Sequence, residues 1–216
     1  MRTRFDQQLA QLHTAIIVMG SLCEEAITLA AKSLSEGNPG LAPQVNQLEE
    51  EIDQKEREIE SLCLKLLMQQ QPVAHDLRMI SAAAKMVSDM ERIGDQAADI
   101  AEISQYLVNC HLAGRQKIAE MGEAAVQMVT KSVNAFVKND LAMTKEVARD
   151  DDIVDHLFLE IKSGLLQDLL GQTDDEAEIQ AALDLLMAAK YLERIGDHAV
   201  NIAEWVEFSI TGVYKN

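Results

Sequence analysis

The pentapeptide Glu-Arg-Ile-Gly-Asp occurs twice in this chain, at residues 91–95 and 193–197, 102 residues apart. At that offset the match runs on without a gap: residues 91–102 read ERIGDQAADIAE and residues 193–204 read ERIGDHAVNIAE. Upstream, Met19-Gly20 falls on Met121-Gly122, while Val45, Asp53, Glu58 and Ile59 fall on Val147, Asp155, Glu160 and Ile161. Glu49 falls on Asp151, which keeps the charge and shortens the side chain. A pattern repeated in a single register means that one structural unit was duplicated, so the fold must be two copies of one plan. Residues 1–110 make the first copy and 111–216 the second.

Apolar residues recur at spacings of three and four, the period of an amphipathic helix. Phe5, Leu9, Leu12, Ile16, Met19, Cys23, Ile27 and Leu34 form one stripe, ending at Gly37-Asn38-Pro39-Gly40. Val45, Leu48, Ile52, Ile59, Leu62, Cys63 and Leu66 form a second, stopped by the run Gln69-Gln70-Gln71-Pro72. Proline disfavours helix at the residue before it and suits the first turn of the next. The third helix carries Leu77, Ile80, Ala84, Val87, Ile93, Ala97, Ile100 and Leu107, and stops near Gly114. The second copy repeats the plan over about 117–139, 141–170 and 175–208, with a break at residues 171–174 and Thr173 or Asp174 as N-cap. Few aromatics and three prolines leave little from which to build strands. Long helices with short connections pack as antiparallel bundles. The expected fold is all-α: six long helices in two tandem three-helix bundles.

Each residue of a helix turns about 100°. With Met90 at the centre of the buried stripe of the third helix, Gly94, Ala97 and Ala101 share its face. Glu91, Asp95, Asp99 and Glu102 fall on another, reproduced by Glu193, Asp197, Asn201 and Glu204. In the second helix Glu49, Asp53, Glu56 and Glu60 flank the apolar stripe, and Asp151 and Asp155 match two of them. Like charges four residues apart destabilise a helix slightly, whereas stacked carboxylates are ready ligands for hard cations. If the second and third helices of a copy are neighbours, Glu49 and Asp53 meet Glu91, Asp95 and Asp99 across a groove. Arg92 and Arg194 then hold the neighbouring carboxylates in salt bridges, and the buried glycines mark a close helix crossing.

Composition narrows the function. Nineteen Lys and Arg against 36 Asp and Glu give a formal charge of −17, which repels phosphate backbones and anionic headgroups and suits cations or basic proteins. No nucleic-acid partner and no membrane insertion are expected. Cys23, Cys63 and Cys110 lie in apolar helical patterns and read as buried free thiols of a reducing compartment. With no signal peptide and no long uncharged apolar run, the expected location is the cytoplasm. The five histidines are scattered, none three residues after a glutamate, so the ferritin-like Glu-x-x-His arrangement is absent. His198 reads as an exposed side chain beside Asp197. No HExxH motif, phosphate-binding glycine loop or nucleophile elbow occurs, so no catalytic or organic-cofactor residue is assigned and the chain does not read as an enzyme.

Taken in order, Gln71-Pro72-Val73-Ala74, Asp76-Leu77-Arg78 and the two Glu-Arg-Ile-Gly-Asp segments resemble the PhoU family of phosphate-transport regulators over almost the whole chain. The resemblance implies a cytoplasmic, often dimeric, negative regulator of the phosphate-starvation response. Such a protein is an adaptor between the ATPase of a phosphate ABC transporter and a sensor histidine kinase. It also implies iron or zinc clusters on the E/DxxxD pairs Glu49/Asp53, Glu91/Asp95, Asp151/Asp155 and Glu193/Asp197, with Asp99 as a further candidate ligand. Asn201 stands at the position matching Asp99, and Gln180 at that matching Arg78, so the two copies are not interchangeable. Two other readings compete: a metal-dependent helper of a different phosphate transporter, and a phosphohydrolase using carboxylate-held metals.

Overall fold

The structure, a computed structural model, describes residues 2–70, 72–107, 114–172 and 176–214. Six α-helices account for nearly all of them: α1 (Arg2–Glu36), α2 (Ala42–Gln70), α3 (Ala74–Ser104), α4 (Arg115–Lys138), α5 (Leu141–Gln172) and α6 (Glu176–Thr211). A single 3-10 turn, Pro39–Leu41, joins α1 to α2. Within each copy all three helices pack on one another, and the copies are joined side by side through α1 against α4 and α3 against α6. Helix α5 runs on through Gly171, where the sequence suggests a break. Gln71, Cys110, the proposed caps Thr173 and Asp174, and the boundary between residues 110 and 111 lie outside the described residues.

The duplication reaches down to the helix ends. Gly37 after α1 and Asn139 after α4 are equivalent positions, and both take the left-handed conformation that closes a helix C-terminus (φ 64° and 52°). The next residue of each copy caps the following helix. Asn38 Oδ1 accepts from Gly40 N at 3.2 Å, and Asp140 Oδ1 accepts from Ala142 N at 2.8 Å.

The apolar stripes meet in one continuous core. Leu12, Ile16, Met19, Cys23, Ile27 and Leu34 of α1 are wholly buried. By length and composition α1 could cross a membrane, and the burial of this stripe shows that its apolarity serves the core. Cys23 and Cys63 are buried free thiols, as expected, and burial pushes both up, Cys63 to about 12. Where α1 crosses α4, equivalent contacts occur twice. Gly20 lies under Val133, and Gly122 lies so close to Ala31 that an added Cβ would stand 2.6 Å from the alanine methyl.

Helices α3 and α6 run antiparallel along a seam that is partly polar. His198 is buried there, not exposed as its place beside Asp197 suggests, because the seam covers it. Its Nδ1 lies 2.9 Å from Asp89 Oδ1, and Asn201 Nδ2 donates to the same oxygen at 3.3 Å. Further along, the Tyr191 hydroxyl donates to Asp99. These two sets are related by the 102-residue offset: Asp89 corresponds to Tyr191, and Asn201 to Asp99. At one end of the seam Arg78 of α3 donates to Ser209 O near the end of α6 (3.5 Å) and lies along Gly212. Arg78 thereby covers a helix C-terminus, where positive charge is favoured.

Candidate metal centres

The groove between α2 and α3 gathers the first set of acids. Glu49 and Asp53 stand one turn apart on α2, Glu91 and Asp95 one turn apart on α3. One carboxylate oxygen each from Glu49, Asp53 and Asp95 lie within 4.8 Å of one another. Three oxygens at that separation can coordinate one hard cation. The helices come close because Gly94 has no side chain; a Cβ there would sit 3.1 Å from Ile52 Cδ1.

The titration behaviour of these groups reflects charge without compensation. Burial, then Asp95, Glu56 and Asp53, push the Glu91 carboxyl up to about 7. Burial followed by Asp53 and Asp95 raises Glu49, and burial followed by Asp53 and Asp99 raises Asp95. Arg92, on the exposed side of α3, offsets part of this repulsion for Glu91 and Asp95. A bound cation would favour the ionised form of every member, so the residues fit the metal that the E/DxxxD motifs imply.

The second set lies between α5 and α6. Burial pushes Asp151 up to about 6, with Asp155, Asp197 and Glu193 adding to the rise. Asp197 is raised by burial and Glu193, while Lys190 opposes the shift. Asp151 bends toward the glycine of its own copy, where a Cβ on Gly196 would meet Asp151 Oδ1 at 3.0 Å. Two residues at the 102-residue offset separate the sites. Lys190 forms an ion pair with Glu193 and stands 5.7 Å above the Phe158 ring. Those two positions hold Ser88 and Glu56 in the first copy, where Ser88 donates to the Glu56 carboxylate. The first centre therefore has an extra acid, and the second an internal cation.

The α3 acids divide between two neighbours. Glu91 and Asp95 face α2, while Asp99 bonds Tyr191 of α6 and receives charge compensation from Arg194. Arg194 thus serves an acid of the other copy. Lys190 and the seam residues Asp89 and Tyr191 are the functional candidates that motif reading alone passes over, and Glu56 and His198 are ones it notes without placing.

Comparison with known proteins bears on this arrangement. The PhoU domain matches twice, over residues 16–104 and 118–206, with the same 102-residue period. The chain belongs to the PhoU family. A Pseudomonas aeruginosa relative, named phosphate-specific transport system accessory protein PhoU homolog, is 34% identical over 97% of this chain and 86% of its own length. An Aquifex aeolicus PhoU homolog is 37% identical over 87% of this chain and 84% of its own. Among solved structures, PhoU from P. aeruginosa superposes with a TM-score of 0.87 at 33% identity, covering 97% of this chain and 100% of that one. PhoU from Streptococcus pneumoniae, described as a phosphate transport system regulatory protein, gives 0.86 at 25% identity, covering 98% and 99%. The PhoU fold is thus shared along the full length, including both acid-bearing hairpins.

Proposed function

We propose that this PhoU-family chain is a cytoplasmic accessory protein that regulates phosphate uptake and holds down phosphate-starvation signalling, without catalysing a reaction of its own. It acts as a homodimeric adaptor between the ATPase of a phosphate ABC transporter and a sensor histidine kinase. Its two hairpin grooves hold iron or zinc on Glu49, Asp53, Glu91 and Asp95 in the first copy and on Asp151, Asp155, Glu193 and Asp197 in the second, with Asp99, whose charge adds to the rise at Asp95, a further candidate ligand that would have to leave Tyr191. The observation that carries the metal reading is the meeting of Glu49, Asp53 and Asp95 oxygens within 4.8 Å. The adaptor reading is supported by relatives named as accessory and regulatory proteins of phosphate transport.

A bound metal supplies positive charge at a groove whose carboxylates repel each other, and so draws α2 to α3. In the second copy Lys190 already supplies part of that charge to Glu193, so that groove depends less on metal. Glu91→Ala with Asp95→Ala should lower the metal content per chain, measured by elemental analysis on protein purified without chelator, while helicity stays unchanged. Unchanged metal content would refute the ligand assignment. For the adaptor role, tagged protein recovered from phosphate-rich and phosphate-starved cells should bring down the transporter ATPase and the kinase in phosphate-dependent amounts; recovery of neither would refute it.

A further inference from the structure

The end of the α5–α6 hairpin exposes large apolar side chains. Leu166, Leu170, Ile179, Leu183 and Met187 are between 38% and 79% exposed. The contacts of Phe158 with Lys190 and of Asp151 with Gly196 fix the antiparallel register of the two helices. In that register Leu166 comes level with Leu183, and Leu170 with Ile179. These residues share a face with the acids. Ile179 precedes Asp197 by 18 residues, about five whole turns, and Leu166 follows Asp155 by 11, about 20° from alignment. One outer face of the hairpin therefore carries the carboxylate groove near its middle and an apolar strip toward its tip.

Charge distinguishes this tip from its counterpart. Between Lys162 and Lys190 there is no Lys or Arg, while Glu176 and Asp184 lie by helical angle beside Ile179, Leu183 and Met187 on α6. The equivalent α2–α3 tip also exposes Leu64, Met68 and Leu77, but Lys65, Arg78 and Lys85 accompany a single acid, Asp76. Duplication thus left two apolar tips of opposite electrostatic character. An apolar strip with an acidic border is complementary to an amphipathic helix whose apolar stripe is bordered by Lys or Arg. A second copy of this chain fits less well, because each copy carries a formal charge of −17.

We propose that the outer face of the α5–α6 tip is a docking groove for a basic amphipathic helix of a partner protein. This extends the adaptor reading and rests on it only for the partner being a protein. The test uses the full chain and, as probe, a fluorescent two-heptad peptide of repeating Leu-Lys-Lys-Leu-Leu-Lys-Leu, titrated at physiological salt. A peptide of the same composition with its leucines scattered off one face serves as control. The wild type should prefer the amphipathic peptide, and Leu166→Gln/Ile179→Gln/Leu183→Gln should weaken binding about tenfold or more. Glu176→Lys/Asp184→Lys should weaken it and flatten its salt dependence, whereas Leu64→Gln/Met68→Gln/Leu77→Gln should leave it within about twofold. All five apolar positions are exposed, so circular dichroism should confirm that the variants fold. Equal binding by the α5–α6 variant, or equal binding of the scattered peptide, would overturn the proposal. A wild-type dimer that becomes monomeric with the α5–α6 substitutions would also overturn it, by showing that a second copy occupies the face. Loss of metal from Glu91→Ala/Asp95→Ala, or failure of phosphate-dependent co-purification, bears on the adaptor reading and leaves this binding measurement untouched.

Discussion

Replacing His198 by leucine tests whether the polar seam holds the two copies together. The Asp89 and His198 side chains are 9% and 11% exposed, and their Oδ1 and Nδ1 atoms lie 2.9 Å apart. Removing one partner of a buried pair typically costs about 3–5 kcal/mol, because the other is left desolvated without compensation. Asn201 still donates to Asp89 Oδ1, and a retained hydrogen bond offsets about 1 kcal/mol of that. The expected cost is therefore about 2–4 kcal/mol. For a chain of this size each kcal/mol moves Tm by about 2–4 °C, so a fall of about 4–16 °C is expected. Asp89→Asn alone removes the charge but keeps an acceptor for Asn201, and should cost about 1 kcal/mol. Combined with His198→Leu it should recover about 1–3 kcal/mol of the single-variant loss, as expected for residues in direct contact. Thermal and urea unfolding of the four proteins in EDTA give the cycle without any contribution from metal. If His198→Leu melts within about 1 °C of wild type, or the double variant shows simple additivity, the seam is not a paired structure and the reasoning fails.

A second seam substitution, Asn201→Asp, would give the second copy the residue the first already carries at Asp99. It would face Asp89 in place of Tyr191, so urea unfolding should show a larger loss than for Asn201→Ala. The acid groove predicts an inverted pH dependence for metal-free protein. Folding holds Glu91 near 7 and Asp151 near 6, above their ordinary values, so the folded state binds more protons than the unfolded state at intermediate pH. Stability should therefore fall as pH rises from about 5 to 7.5, and thermal melts in EDTA should show it; metal affinity should change the opposite way, weakening as pH falls through 7. Gly122→Ala forces its methyl against Ala31 and should cost about 1–3 kcal/mol, while Gly164→Ala meets nothing within 4 Å and should add about 0.5–1 kcal/mol; denaturation midpoints distinguish them. Arg78→Ala should loosen the end of α6 and shift the emission of Trp205, the single tryptophan, which stacks on Tyr214 4.8 Å away.

The helices and the pairing of α2 with α3 were legible in the chain because both follow from local information. Three-and-four spacing marks each stripe, and short connections make successive helices neighbours. The residue that misled was Leu77, which continues the apolar spacing of α3 yet is 45% exposed. It stands 18 residues before Asp95, five whole turns, and so belongs to the acid-bearing outer face. Hydrophobicity marked it as core, whereas angle placed it outside, and the angle was right. His198 misled in the reverse sense. Its sequence neighbour Asp197 points outward, but one residue is about 100° of helix, enough to carry His198 round to α3. Nothing local could have paired it with Asp89, because that contact depends on the register of α3 against α6, helices from different copies. Once that register is known, the repeat becomes informative again. Applying the offset to the seam pairs Asp89 with the Asn201 amide and His198 imidazole of α6, and Tyr191 with Asp99 of α3. Two identical copies of α3 would instead bring Asp89 against Asp99, two acids, with the Gln96 amide in place of the His198 imidazole. Divergence at positions 89, 99, 191, 198 and 201 therefore favours the union of unlike copies within one chain over association of like copies between chains, and it left the hairpin faces free to diverge in charge.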